Sequence, residues 1–268
     1  MKTLTLLLTL ICIISSKGCT KDNKCTDVLP SMTKVEWSKE LKKSATDYVV
    51  ELSGLCLSKD GDFLWGVGDN GQIYKIQFDG SYELYLDDAE ESDMEGITID
   101  PATGDLYLAV EPNSVYKMTA PDYNGYTKLF GVEGAAQMKN SGIEGITWYK
   151  GDLYLGAQTN ATLWKYSVAG NNLSMNLLTE MPISITEIAD LCYDPESDLL
   201  WVIDSNEYKI LLFNGDATKL LTTYDIKPFA DWNPESICVD RAHGCIWIAD
   251  DCGDDDPSIL HKVSFSNL

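Results

Sequence analysis

Glu95, Glu144 and Glu235 each open a short apolar run in the same way. In MEGITID (94–100), IEGITW (143–148) and PESICVD (234–240) a carboxylate is followed by a small residue and then an isoleucine. An acid fits a half-buried strand poorly, and a glycine beside it leaves room for close backbone approach. A position that recurs in this way delivers its carboxylates to one place. Carboxylates gathered together repel, at a cost on the order of several kcal/mol, unless they are protonated or neutralised. A hard cation that takes roughly 6–8 oxygen ligands would neutralise them. A water-filled channel that tolerates scattered acids is the other reading.

The elements that carry these acids repeat. Five segments align, 52–78, 94–118, 143–168, 188–213 and 234–265, with Gly54, Gly96, Gly145, Asp190 and Ser236 at one position, 42, 49, 45 and 46 residues apart. Each copy holds a short strand, a turn rich in Asp, Pro and Gly (KDGD, DPATGD, YKGD, DPESD, DRAHG), and an aromatic-bearing strand (FLWGV, LYLAV, LYLGA, LLWVI, CIWIA). A polar loop and a third strand follow, and four copies continue into a more polar fourth strand. Three or four antiparallel strands at this period point to propeller blades, with very little helix. Five copies imply an all-β, five-bladed β-propeller of four-stranded antiparallel blades. The last copy is a strand short, and TKVEWSKEL (33–41) precedes the first blade without a partner. The spacing therefore predicts an N-terminal strand that closes the ring and removes an open edge. One propeller domain is expected over 33–268, after a tether at 19–32.

The segments ELSGL (51–55), MEGITID, IEGITW and IADLCYDPESDLLWVID resemble the SdiA-regulated family of bacterial β-propellers, distant relatives of NHL-repeat proteins. The resemblance covers about residues 45–268. It implies a five-bladed propeller with a bound calcium ion and no established enzymatic activity. The fourth copy departs from it with IAD where others have EG, and the last with PES.

In a propeller the first strand of each blade lines the channel, and the loop after the second strand lies at the same face. Ser53, Glu95, Glu144, Ala189 and Glu235 then point to one axis, joined by Asp69, Glu111, Asp204 and Asp250 from those loops. Together with the resemblance, this gives an expected Ca²⁺ site. Glu95, Glu144 and Glu235 are its ligands, and Asp69, Glu111 and Asp204 are further ligands or their hydrogen-bonding partners. Calcium is preferred to zinc because the donors are all oxygens, and to magnesium because ligands from separate blades suit a large, irregular coordination sphere.

Other chemistries are poorly supported. His261 stands at a third-strand position held elsewhere by Tyr74, Tyr116 and Trp164, and His243 lies in a turn away from the acids, so neither suits a Ser-His-Asp or His-metal site. ADDCGDDDPS (249–258) lacks the spacing of an EF-hand and reads as an acidic loop or a rim for a second cation or a basic partner. No phosphate loop or dinucleotide fingerprint occurs. Trp65, Trp201 and Trp247 share a position with Tyr107 and read as inter-blade packing. Lys75, Lys117, Lys165 and Lys262 share another and read as solvent-facing.

The 268 residues carry a formal charge of −22 with 44% hydrophobic content, enough for a large core and adverse to a nucleic-acid partner. LTLLLTLICII (4–14) after Lys2 is an export signal too short to span a bilayer. SKGC (16–19) puts Gly18 before Cys19 as in a lipobox, although Lys17 departs from the usual small or apolar residue. A signal peptide at 1–18 and lipidation at Cys19 are expected, with lipid anchoring to the bacterial outer membrane as the only membrane contact and the periplasmic and cell-surface orientations both left open. Cys56, Cys192 and Cys238 occupy one repeat position where two copies have Thr98 and Thr147, so they read as unpaired, small buried residues; the pairing of Cys25, Cys245 and Cys252 is left open. The expected function is a monomeric, non-enzymatic module that binds an unidentified ligand or protein at its acidic channel face. The alternative is a metal-dependent hydrolase, lactonase-like or phytase/esterase-like, by analogy with propellers that hold divalent cations in the same channel.

Overall fold

The computed structural model describes residues 28–87, 93–133, 142–170, 172–177 and 185–268. The export segment, Cys12, Cys19 and Cys25 lie outside the described residues. The chain begins with β1 (Ser31–Glu40) and a small hairpin, β2 (Lys42–Ser44) and β3 (Asp47–Tyr48). Blade one is β4 (Leu52–Leu57), β5 (Leu64–Gly68), β6 (Gln72–Ile76) and β7 (Tyr82–Asp87). Blade two is β8 (Met94–Ile99), β9 (Leu106–Val110), β10 (Ser114–Met118) and β11 (Thr127–Gly131). Blade three is β12 (Ile143–Tyr149), β13 (Asp152–Ala157), β14 (Thr162–Ser167) and β15 (Asn172–Leu177). Blade four is β16 (Asp190–Asp194), β17 (Leu199–Asp204), β18 (Lys209–Asn214) and β19 (Leu220–Asp225). Blade five is β20 (Pro234–Asp240), β21 (Cys245–Asp250) and β22 (Ile259–Ser266), and β1 supplies its outer strand. A 3-10 turn at Thr159–Ala161 is the sole helical element among the described residues.

The predicted five-bladed propeller and its closure are both present. β1 runs antiparallel to β22, from Ser31 opposite Ser266 to Glu40 opposite Ile259. It starts two residues before the predicted boundary at residue 33. The inner strands β4, β8, β12, β16 and β20 touch in order around the ring, and β20 meets β4.

Burial explains why the strands of a blade differ in composition. The first two strands lie between neighbouring blades, so LWGVG, LYLAV and LLWVID are buried throughout. The outer strand TKLFG is largely exposed and LLTTYD is half-buried to exposed, and they carry the polar residues. The core divides into five clusters, one at each blade-to-blade interface. Trp65, Tyr107, Tyr154, Trp201 and Trp247 take the equivalent place in blades one to five, and each enters a different cluster. The shared aromatic position is therefore inter-blade packing. Truncating such a residue to Ala typically costs about 3–5 kcal/mol.

The four shared lysines are half-buried, which departs from the solvent-facing expectation. Lys75 lies 5.3 Å from the Trp65 ring and 4.5 Å from that of Tyr85, and Lys262 lies 5.6 Å from Trp247. Lys117 and Lys165 pair with Asp105 and Asp152 at 2.6 and 3.1 Å while reaching over Tyr107 and Tyr149. Their stems cover the aromatic layer and their ammonium groups sit above its faces.

The anchor glycines Gly54, Gly96 and Gly145 are needed for contact between inner strands. A Cβ on Gly54 would lie 2.8 Å from the Gly96 Cα, and one on Gly145 would lie 2.8 Å from the Asp190 Cα. Backbones this close leave no room for a side chain. Between blades four and five the anchor is Asp190, whose carboxylate accepts the Ile237 N–H.

Candidate metal centre

Channel acids, glycine anchors and the loops after the second strands meet at one end of the ring. Ser53, Glu95, Glu144, Ala189 and Glu235 all line the same narrow recess, as the repeat requires, and Gln158 joins them. Above it lies a cavity of about 220 Å³ lined by Asp69, Asp93, Glu95, Glu111, Glu144, Gln158 and Glu235. Among the described residues no Lys, Arg, His or Cys lines it.

Two carboxylate triplets lie within this cavity. Carboxylate oxygens of Glu95, Glu111 and Glu144 all come within 4.8 Å of one another, and so do those of Asp69, Asp93 and Glu95. Glu95 belongs to both. Glu235 sits beside them with one oxygen 2.5 Å from the Asn233 amide nitrogen and the other 3.3 Å from the Ser53 hydroxyl. That hydroxyl also donates to Asp69 at 2.5 Å. Glu111 accepts the Gly142 N–H at 2.7 Å, which fixes its carboxylate toward Glu144.

Crowding and burial show in the acidities. Burial, and then the neighbouring Glu144, push Glu95 well above the usual carboxylate range. Burial and the adjoining Glu111 push Glu144 up to about 10. Burial and then Asp251 raise Glu235 to about 8, although Ser53 and Asn233 donate to it. Burial lifts Asp69 to about 7 against the Ser53 hydroxyl, and burial also raises Glu111. Buried acids this close either hold protons or share a cation.

Of the six residues expected at the metal, Glu95, Glu144, Glu235, Asp69 and Glu111 line the cavity and Asp204 does not. The reason is one residue of register. The anchors Gly54, Gly96, Asp190 and Ser236 pair with Val67, Ala109, Ile203 and Ala249. Two residues further on stand Asp69, Glu111, Ser205 and Asp251, and Gln158 holds that place in blade three. Asp204 and Asp250 come one residue earlier, on the opposite face of the strand. Asp204 caps its own loop, accepting Thr186 N–H at 2.8 Å, the Thr186 hydroxyl at 2.7 Å and Glu207 N–H at 3.1 Å. Asp250 is buried with one oxygen 3.5 Å from His261 Nε2. His261 is packed in the core, as expected, with Nδ1 at 2.7 Å from the Ser38 hydroxyl.

Asp93 and Asp251 are the acids that sequence reasoning missed. Asp93 stands three residues before its anchor, where Glu51 and Glu187 stand in blades one and four and Asn233 in blade five. That recurrence was a readable signal. The Asp251 N–H bonds the Asn233 carbonyl at 2.8 Å, as the Glu111 N–H bonds Asp93 at 2.9 Å, so the two positions are equivalent in space. Glu51 is pushed up to about 7 by burial and by a hydrogen bond with Asp254, which extends the acidic rim into the 249–258 loop.

No model of a known protein family and no curated protein matches the sequence. Solved structures do. The chain is similar to the glutaminyl cyclase of Myxococcus xanthus, with a TM-score of 0.60 and 12% identity over 88% of this chain and 96% of that one. It is similar to an auxiliary nutrient binding protein from Bacteroides thetaiotaomicron, with a TM-score of 0.54 and 12% identity over 85% of this chain and 76% of that one. A luciferin-regenerating enzyme matches with a TM-score of 0.55 and 12% identity over 85% and 79%. Their functions differ from one another, and identities this low carry the fold alone. The comparisons identify the chain as a β-propeller.

Proposed function

We propose that this chain is an exported, lipid-anchored calcium-binding β-propeller of the SdiA-regulated type, a non-enzymatic module that presents its acidic channel mouth to a ligand or protein. The observation that carries the metal reading is Glu95, which is buried and shares two carboxylate triplets, with no cationic side chain among the described residues that line their cavity. The donor set fits calcium: every group is an oxygen, and the donors come from blades one, two, three and five, so the sphere is irregular rather than a strict octahedron. Glu95, Glu111 and Glu144 would hold the ion, with Asp69, Asp93 and Glu235 around it and Gln158 offering a neutral oxygen. The bound ion would draw these acids into their charged forms and fix the loops after the second strands.

The test is a thermal melt of the purified chain in calcium and in chelator. A cation bound only by the folded ring stabilises it by mass action, about 2.7 kcal/mol at a hundredfold excess over Kd. Calcium should raise Tm, and Glu144→Gln should weaken the rise. Equal melts, together with no heat of calcium binding by calorimetry, would leave the acids as solvated channel residues. Metal-dependent turnover of lactones or phosphate esters that disappears in Glu144→Gln would favour the hydrolase instead.

A further inference from the structure

At the other end of the inner strands lies a second cavity, of about 380 Å³, apolar where the first is acidic. Pro101, Trp148, Tyr193 and Pro195 are among its walls, and Cys56, Cys192 and Cys238 with Thr98 and Thr147 come from the five inner strands. All of these Cys are free. Their shared repeat position has a structural task. Thr98 Oγ1 accepts the N–H of Trp148 in the next blade at 3.0 Å, and Thr147 Oγ1 accepts that of Tyr193 at 2.9 Å. Cys192 Sγ takes the same role toward Val239 at 3.5 Å. Thr or Cys can hold the ring together at this point, but only Cys brings reactivity.

Cys192 and Cys238 sit on adjacent inner strands, and their side chains meet. Both line the cavity, Cys192 partly exposed and Cys238 buried. The Cys238 thiol, followed by the Val239 amide, draws Cys192 below the usual thiol range against the effect of burial. The same contact and burial push Cys238 well above that range. Two thiols in contact on adjacent strands, one of them partly exposed to a cavity, are the arrangement of an attacking and a resolving cysteine.

We propose that Cys192 and Cys238 form a reactive thiol pair that reduces small apolar disulfides entering this cavity and ends as a disulfide between β16 and β20. The Cys192 thiolate attacks one sulfur of R–S–S–R, that S–S bond breaks, and R–S⁻ leaves and takes up a proton. The Cys238 sulfur, giving up its own proton, then attacks the Cys192 sulfur of the mixed disulfide and expels the second R–S⁻, which is protonated in turn. Two cysteine thiols are oxidised by two electrons, and one R–S–S–R becomes two R–SH. The apolar walls select a neutral, aromatic or aliphatic R group.

Dithiodipyridine, a neutral aromatic disulfide, tests this on the whole folded chain by pyridinethione release and peptide mapping. The parent should show a rapid phase that releases two pyridinethiones from this pair, retain no pyridyl adduct on Cys192 or Cys238 and yield a peptide linking the two. Cys238→Thr should release one in that phase and keep the adduct on Cys192, and Cys192→Thr should lose the phase. Threonine already occupies this position in blades two and three, so both variants should keep the parent's melting curve; Cys192→Ser is the second variant if either does not. A rapid phase that survives in Cys192→Thr, that maps to another cysteine, or that leaves a lasting adduct on Cys192 of the parent would overturn the proposal.

Discussion

The Asp190 carboxylate accepts the backbone N–H of Ile237 at 2.9 Å, across the boundary where blade four meets blade five. From blade one to blade four the inner strands meet through Gly54, Gly96 and Gly145, but here a buried acid reaches across. Burial raises Asp190 well above the usual carboxylate range, while the Ile237, Leu191 and Ile146 amides pull it down. Its worth is structural.

Replacing it should therefore cost stability without touching metal affinity. Asp190→Ala leaves the Ile237 N–H buried without a partner, which costs about 1–3 kcal/mol. Denaturant melts should show that loss equally in calcium and in chelator. A loss confined to calcium would place Asp190 at the metal instead.

The channel acids give the metal-free ring an unusual pH dependence. Asp69 and Glu51 are raised to about 7, Glu235 to about 8 and Glu144 to about 10. Unfolded carboxyls release their protons near 4, on the order of the values in free peptides. Between that pH and the raised values the folded ring holds protons that the unfolded chain has lost. Stability in chelator must then fall as pH rises through this window, and below it the contribution is flat. Excess calcium should flatten the slope, because the ion takes the place of the protons. Melts from pH 5 to pH 8 check this, and stability that climbs over that range in chelator would contradict it.

The period-45 pattern made the ring readable because every blade solves the same packing problem. An aromatic recurs wherever two blades meet, and a small residue stands at four of the five anchor positions of the inner strands. Glu95, Glu144 and Glu235 were legible for the same reason: their distance from the anchor is constant. Asp204 was not, because Asp204 and Asp250 align by eye with Asp69 and Glu111 at the end of the second strand. In that strand one residue separates the channel from the far face. Pairing across β16 and β17 decides which residue faces the channel, and the unbroken apolar run LLWVI gives no hint of it. The reactive pairing of Cys192 with Cys238 was hidden differently, since the repeat shows a shared position but not that an open cavity lies over it.

That register makes a discriminating pair of variants. Asp251→Asn alters an acid that raises the neighbouring Glu235 and Asp69. It should weaken calcium binding several-fold and change chelator-state stability little. Asp204→Asn disturbs the bonds to Thr186 and Glu207, so it should lower Tm with and without calcium by a similar amount. Calorimetric titration beside thermal melts separates the two, and the reverse pattern would restore Asp204 to the site.

Membrane attachment should depend on one residue outside the ring. Cys19→Ser removes the expected acylation site, and no helix among the described residues is long and apolar enough to cross a membrane. Fractionation of expressing cells should move the chain from the membrane to the soluble fraction. Continued membrane association would exclude Cys19 as the anchor.

Closure by β1 should govern the stability of all five blades. Trp37 packs edge-on against Trp247 with ring centroids 5.5 Å apart, and the Tyr224 hydroxyl donates to the Pro30 carbonyl at 2.5 Å. Leu41, fully buried, is tied at both backbone groups: its N–H donates to Ser258 at 2.9 Å and its carbonyl accepts the Val49 N–H at 2.9 Å. A chain starting at Thr46 loses all of these contacts and exposes the edge of β22, which invites pairing between molecules. Because the inner strands form a closed circle, a blade freed at that edge loosens its interface with blade one as well as that with blade four. The truncated chain should melt earlier in a single transition and associate on size-exclusion chromatography. If it remains monomeric and as heat-stable as the parent, the ring is held shut by its inner strands alone and β1 is only a cover.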